Sequence, residues 1–451
     1  SHRGMLSTEV VEPDNAIFTQ TRQHSYDSFG NLVRTSLRAG GETRCNANTK
    51  QYDPSGRYID KTFDCKGRIL SEIVERNVYG SPTKVLKYLD ASSTESIETR
   101  FAYTPRGFQY FQADSSGVWE ANTAGRCDSG TIACPNGAVL YYVKRTAGGG
   151  ESRRFTDVLG REIRQSVQAF DGGWNSTDIR YDKLGRTIAV SEPYFDGDTP
   201  VWNRSRYDFS GRVLSVTSAD DTSQSSTYNG FQTSVNNGLG QEKITLRNPL
   251  GEVIRVTDEL GGQIHYEYDA RGNLEKTTTV DGNSIVIFYD RMDRKTEMQD
   301  RDKGQWSYRY NSFGELIEQT DAKGQRVVLA YDDLGRKTTR HDYNATDALE
   351  GYTRWQYDTA PRGLGKLDYV SYHKGSSTAP ASYQKLLSYD NIGRLHETVT
   401  SIGLNGADGD HYELVTYDEF GRIFQQFDAA RASNNYENNG IEFRYNDYGY
   451  Q

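Results

Sequence analysis

The sequence predicts an all-β protein, a repetitive antiparallel β-hairpin meander that coils into a spiral sheet, partial shell or open barrel. Three observations predict it. First, the phrase Tyr-Asp-x-x-Gly-Arg returns along the chain: YDSFGN at Tyr26, YDPSGR at Tyr52, YDKLGR at Tyr181, YDFSGR at Tyr207 and YDARGN at Tyr268. It continues as YNSFGE at Tyr310, YDDLGR at Tyr331, YDNIGR at Tyr389, YDEFGR at Tyr417 and YNDYGY at Tyr445. Second, turn residues from Gly251 to Gly335 recur at steps of 10 or 11 residues, with Asp293 standing where the others are glycine. Third, side chains alternate before each turn, as in Ile264, Tyr266 and Tyr268 against His265, Glu267 and Asp269. Period two with β-branched and aromatic residues marks a strand with one buried face.

Taken in order, residues 1–25 read as a tag remnant, Ser1 to Gly4 ahead of Met5, followed by an N-terminal segment. Residues 26–112 are repeats, 113–150 a loop insertion containing a cysteine pair and ending at Gly148-Gly149-Gly150, and 151–451 repeats again. Within a repeat the strand ends at Tyr-Asp. The Asp accepts hydrogen bonds from the turn's backbone N–H groups, and the Gly supplies the positive φ of a bulged hairpin turn. A second turn lies halfway to the next motif, as in TDELGG at Thr257 and TDAKGQ at Thr320. Stacking such strands predicts ladders of Tyr on Tyr and Asp on Arg. No sustained helical periodicity is present, and the chain reads as an excised piece of something longer.

Composition bounds the function. Hydrophobic residues are only 35% of the chain, with Tyr 32 and Gly 44, and mean hydropathy is -0.79. That suits a thin wall with much wetted surface, its apolar area supplied by tyrosines that keep their hydroxyls at a polar edge. The net charge is -9, with 53 basic and 62 acidic residues interspersed, so neither nucleic acid nor an anionic membrane is an expected partner. The longest apolar runs, such as Ile285 to Phe288, are far too short for a transmembrane segment.

Four cysteines, Cys45, Cys65, Cys127 and Cys134, all precede residue 135. They allow three pairings, of which Cys45–Cys65 with Cys127–Cys134 is preferred; four unrelated buried thiols are the alternative. Neither spacing resembles a zinc knuckle. Disulfides would place the protein outside the reducing cytosol, as a secreted, periplasmic or surface protein.

The copies YDKLGR, YDDLGR, YDNIGR and YDEFGR, with their TDAKGQ-like intervening turns, resemble the YD repeats of Rhs proteins, of the shell-forming components of Tc toxin complexes and of teneurins. The resemblance covers most of residues 26–450. It implies a β-sheet that spirals into a hollow shell, enclosing a toxic domain in the toxin members. The sequence has no segment like the Asp-Pro-x-Gly-Leu-rich core that carries self-cleavage in the family, so the scaffold alone carries over.

No catalytic signature is present: no Gly-x-Ser-x-Gly, His-Glu-x-x-His, phosphate loop or dinucleotide fingerprint. The seven histidines have no metal-ligand spacing. The acidic loops at Asp196 and Asp198, and at Asp408 and Asp410, are weighed as calcium ligands but read as solvated turns. Trp306 and Trp355 are in phase with the tyrosines of their own strands and read as packing; Trp174 and Trp202 are out of phase and are the candidate ligand-facing aromatics. The expectation is a non-enzymatic scaffold without cofactor or metal, part of a YD-repeat shell that shields a polypeptide cargo such as a toxin domain, or pairs with further repeats of the same parent chain. The alternative is a cell-surface adhesion or glycan-binding module.

Overall fold

The computed structural model describes residues 4–11, 19–45, 49–403, 409–430 and 440–451. Among them the regular structure is β throughout, apart from a single 3-10 turn at Cys127–Ser129. Successive strands pair antiparallel, so the all-β hairpin meander read from the sequence is what the chain forms.

One repeat shows how the phrase works. The strand Trp174–Tyr181 ends in a turn where Asp182 N–H bonds Arg186 O (3.0 Å) and Gly185 N–H bonds Asp182 O (3.0 Å). Asp182 Oδ1 accepts from the N–H groups of Leu184 and Arg186, both at 2.9 Å. Gly185 has φ 82°, a value that glycine adopts without a steric penalty. The register slips between Arg180 and Tyr181, which is the bulge the motif predicts. Asp293, in the glycine position of its turn, has φ 59°, consistent with the tolerance of Asp for the left-handed region.

The ladder of Tyr on Tyr is corrected. Where the preceding motif ends in arginine, the tyrosine lies under that guanidinium instead: Arg186 is 4.9 Å from the ring of Tyr207, Arg336 4.4 Å from Tyr357, Arg394 3.8 Å from Tyr417. The hydroxyl donates to the carbonyl just past that arginine, as Tyr207 to Thr187 (2.7 Å) and Tyr417 to Leu395 (2.8 Å). The Asp–Arg pair forms within one motif, Arg186 Nε to Asp182 Oδ2 at 2.7 Å. A tyrosine so placed satisfies its hydroxyl, its ring face and a bulge carbonyl together, which stacking on another phenol would not do.

One face of each strand is the more buried, as Trp306, Tyr308 and Tyr310 are against Gln305, Ser307 and Arg309, but it is half-buried rather than closed, and Ile264 and Ile285 on it are exposed. The wall is one sheet thick, so neither face has a second layer to pack against.

The chain divides into two units. The first comprises Ser1–Trp119, Asp290–Glu297 and Gln305–Arg444; the second Glu120–Tyr289, Met298–Gly304 and Tyr445–Gln451. In the first, residues read as a tag remnant and N-terminal segment contribute strands Thr8–Val11 and Gln20–Tyr26 to a four-stranded sheet with Leu32–Ala39 and Glu42–Cys45.

Segments far apart in sequence then meet turn to turn within this unit. Gln20 Nε2 donates to Ser312 O (2.6 Å), Arg44 pairs with Glu315 (2.5 Å), Arg68 with Asp358 (3.0 Å) and Arg362 with Glu95 (2.6 Å). The first two contacts span 292 and 271 residues. The second unit repeats the pattern: Gly150 N–H bonds Tyr448 O (2.9 Å), Asn446 Nδ2 bonds Phe170 O (2.7 Å) and Tyr450 Oη bonds Gln168 O (2.9 Å). In both units the Tyr-Asp turns of a later course of hairpins lie against the mid-repeat turns of an earlier course.

The segment 113–150, read as a loop insertion, holds the strands Trp119–Arg126 and Leu140–Thr146, paired with each other. Only 127–139 leaves the sheet. The Gly and Pro content of that stretch signals its turns, but the flanking strands lack the motif that marks strands elsewhere.

Candidate functional site

The densest packing in the second unit builds its candidate site. Loop 127–139 is tied to the sheet by Val139 N–H to Thr156 O (2.7 Å) and closed by a disulfide between Cys127 and Cys134, whose Cα atoms are 5.8 Å apart. Beneath it Tyr141, Val143 and Phe155 are buried, with Ile132, Ala138 and Ile163 packed against them. Cys65 is disulfide-bonded too; the side chain of Cys45, its expected partner, lies outside the described residues.

Two clefts open beside this loop and share Pro135 and Arg164 in their walls. One, of about 620 Å³, is lined by Asp157, Arg161, Arg164, Asp178, Arg180 and Trp202; the other, of about 370 Å³, by Arg153, Ser166, Trp174, Ser176 and Asp196. Their charges are largely paired. Arg164 bonds Asp178 Oδ2 (2.8 Å) and the Tyr194 hydroxyl (2.6 Å), and that hydroxyl donates to Asp178 Oδ2 (3.0 Å). Asp178 holds the Arg164 guanidinium above its ordinary pKa, while burial pushes the Tyr194 phenol up. Arg161 pairs with Asp157 (2.6 Å) and Arg153 with Glu151 (2.5 Å). Burial raises the Glu151 carboxyl, but Arg153 and Arg145 outweigh it and hold the group below the usual range. Ser166 and Ser176 bond each other at 2.8 Å, and no base is aimed at either among the described residues.

The two tryptophans singled out in the sequence are both here. Trp174 lies under Arg153 and Trp202 under Arg180, each with the guanidinium 3.8 Å from the ring. Trp202 is only 9% exposed, so a face that would stack on a sugar is already occupied. Sequence reasoning missed the arginines. The available signal was parity: Trp174, Asp178 and Arg180 share one face of their strand, opposite Tyr181. Asp196 and Asp198 sit in an exposed turn; Asp410 accepts from Ser401 (2.5 Å), and Asp408 lies outside the described residues. No group of three or more metal-ligating side chains occurs among the described residues.

The chain matches the RHS Repeat family over residues 247–284 and 310–345, the stretch where the turn rhythm is most regular. Those two stretches are RHS repeats. A solved structure of TcdB2-TccC3 without its hypervariable C-terminal region is similar over 95% of this chain and 30% of its own, at 11% identity and TM-score 0.59. A second structure of TcdB2-TccC3 is similar over 95% and 28%, at 12% identity and TM-score 0.55. These likenesses concern the fold, and the chain spans about 30% of the length of those proteins. No curated protein matches it in sequence.

Proposed function

We propose that this RHS-repeat chain is a non-catalytic structural scaffold, part of a wall that shields a polypeptide cargo within an exported protein. The observation that carries this reading is the laying of one course of hairpins on another through turn-to-turn contacts in both units. A sheet one layer thick gains little from burial, and its organisation serves to extend a surface. The similarity to TcdB2-TccC3 supports the same reading at the level of fold.

Protease protection in the protein as its producing cell makes it is the test. The expected result is a polypeptide segment outside the repeats that resists protease in the native protein and is cleaved once the wall is opened by acid. Cleavage of every such segment at the rate seen after denaturation would overturn the reading. Saturable binding on a glycan array, lost in Trp174→Ala, would favour the adhesion module instead.

A further inference from the structure

We propose that the larger cleft beside loop 127–139 binds an acidic side chain of a polypeptide, with Arg180 as the group that takes its carboxylate. The inference goes beyond the scaffold reading and needs no shielded cargo, so either can fail while the other stands.

The wall of the cleft sets Arg161, Arg164 and Arg180 against Asp157 and Asp178. Both carboxylates are committed. Asp157 pairs with Arg161 at 2.6 Å and accepts from the N–H groups of its own turn. Asp178 pairs with Arg164 and accepts from the Tyr194 hydroxyl. Arg180 is left over: it is exposed, and it makes no ion pair or side-chain hydrogen bond among the described residues. In a chain of net charge -9, this wall therefore carries an uncompensated positive charge. The neighbouring cleft has no such surplus, since Arg153 is held by Glu151 at 2.5 Å.

The free guanidinium is also oriented before any ligand arrives. It lies 3.8 Å from the Trp202 ring, so the indole covers its flat face and leaves its N–H edge for an acceptor. A planar fork held in this way matches the two oxygens of a carboxylate, and little side-chain freedom remains to be lost on binding. Ile163 and Ile188 add apolar area beside the charge, and Pro135 belongs to the opposite, disulfide-closed wall. The volume of about 620 Å³ suits a short stretch of extended chain. Arg204 follows Arg180 across Ala189 on the same face, which extends the positive surface beyond the cleft. A sugar acid fits less well: Trp202 is 9% exposed and its ring is under Arg180, so no aromatic platform is open to a sugar ring.

The test uses the full chain and a terminally blocked peptide, Gly-Leu-Glu-Leu-Gly, carrying an uncharged fluorophore and read by anisotropy. Saturable binding is expected, weakened about tenfold when glutamine replaces the glutamate, the equivalent of one charge-assisted pair. Arg180→Gln is expected to weaken it to the same extent. Arg106→Gln, which removes an exposed arginine from a turn of the first unit, is expected to leave it unchanged. A second readout needs no variant: the peptide is expected to protect Arg180 of the unaltered chain from phenylglyoxal, followed by peptide mass spectrometry. No saturable binding, equal binding of the two peptides, equal effects of the two substitutions, an unprotected Arg180, or tighter binding of digalacturonate than of the peptide would each overturn the proposal.

Discussion

The aspartate of the repeat organises its turn through one carboxylate, and this makes the protein acid-sensitive. In the motifs at Asp332 and Asp390, burial pushes the carboxyls up, but bonds from Arg336 or Arg394 and from turn N–H groups outweigh it and hold them below the ordinary range. At Asp358 burial is likewise outweighed, by Arg336, Gly365 N–H and Arg68, and the carboxyl is held down to about 2. A folded-state pKa below the unfolded value, about 3.9 for Asp, stabilises the fold above that value, and the contribution is lost as pH falls through the folded value. Thermal scans are therefore expected to be flat from neutrality to about pH 5 and to fall between about pH 4 and 2. A melting temperature unchanged at the bottom of that window would contradict the assignment. The arginine is tested by Arg186→Lys, which keeps the charge but removes the planar group that bonds Asp182 and covers Tyr207. A loss of about 1 kcal/mol is expected, read as faster amide exchange at the Tyr181–Thr187 turn.

At the scale of the hairpin, two glycines with the same conformation separate turn geometry from contact between courses. Gly240 and Gly449 have φ 83° and 85°. A Cβ on Gly240 meets open space, whereas one on Gly449 would lie 2.8 Å from Gly148 O and 3.1 Å from Gly149 Cα, backbone atoms that cannot swing aside. Both alanine variants carry the backbone cost of about 1 kcal/mol, and Gly449→Ala is expected to be the more destabilising, with exchange rising at residues 147–150 as well. Equal effects would mean the turn at 449 does not bear on that neighbour. The disulfide is an element-scale device too: Cys127→Ser with Cys134→Ser is expected to cost roughly 2–3 kcal/mol locally, from the entropy of an eight-residue loop, and to raise exchange around Phe155. Strands, turns and bulges were legible because Asp, Gly and alternation encode them within a few residues. The partner of each tyrosine was not, because Arg186 and Tyr207 meet across a strand pair whose spacing varies, and a sequence cannot say which of several aligned groups fills a ring face. Parity set Trp174 and Trp202 apart from the motif tyrosines and put Arg180 on the face of Trp174, but which arginine covers which ring was not legible, for the same reason.

Across the molecule, the chain's long separations are bridged at a few turns, and Asp358 is the clearest of them in the first unit. Its side chain is 8% exposed and bonds two arginines, Arg336 at 2.7 Å from a neighbouring motif and Arg68 at 3.0 Å from the earlier course. Local contacts would hold Arg336 without it, since Asp332 bonds the same guanidinium at 2.7 Å. Arg68 likewise keeps Asp64. The carboxylate of Asp358 is thus the link between two turns that each stand on their own pair. Removing it leaves two largely buried guanidinium groups facing each other, a change that typically costs about 3–5 kcal/mol where one member of a buried ion network is deleted. Asp358→Ala is expected to raise amide exchange at residues 64–68 as strongly as at 358–366, although the two stretches are far apart in sequence. A response confined to 336–366 would show that the courses are held by other contacts, such as Arg44 with Glu315. A response at both places would show that stability in this single-layer sheet passes between courses through shared charges at the turns, because the strands have no second layer through which to pass it.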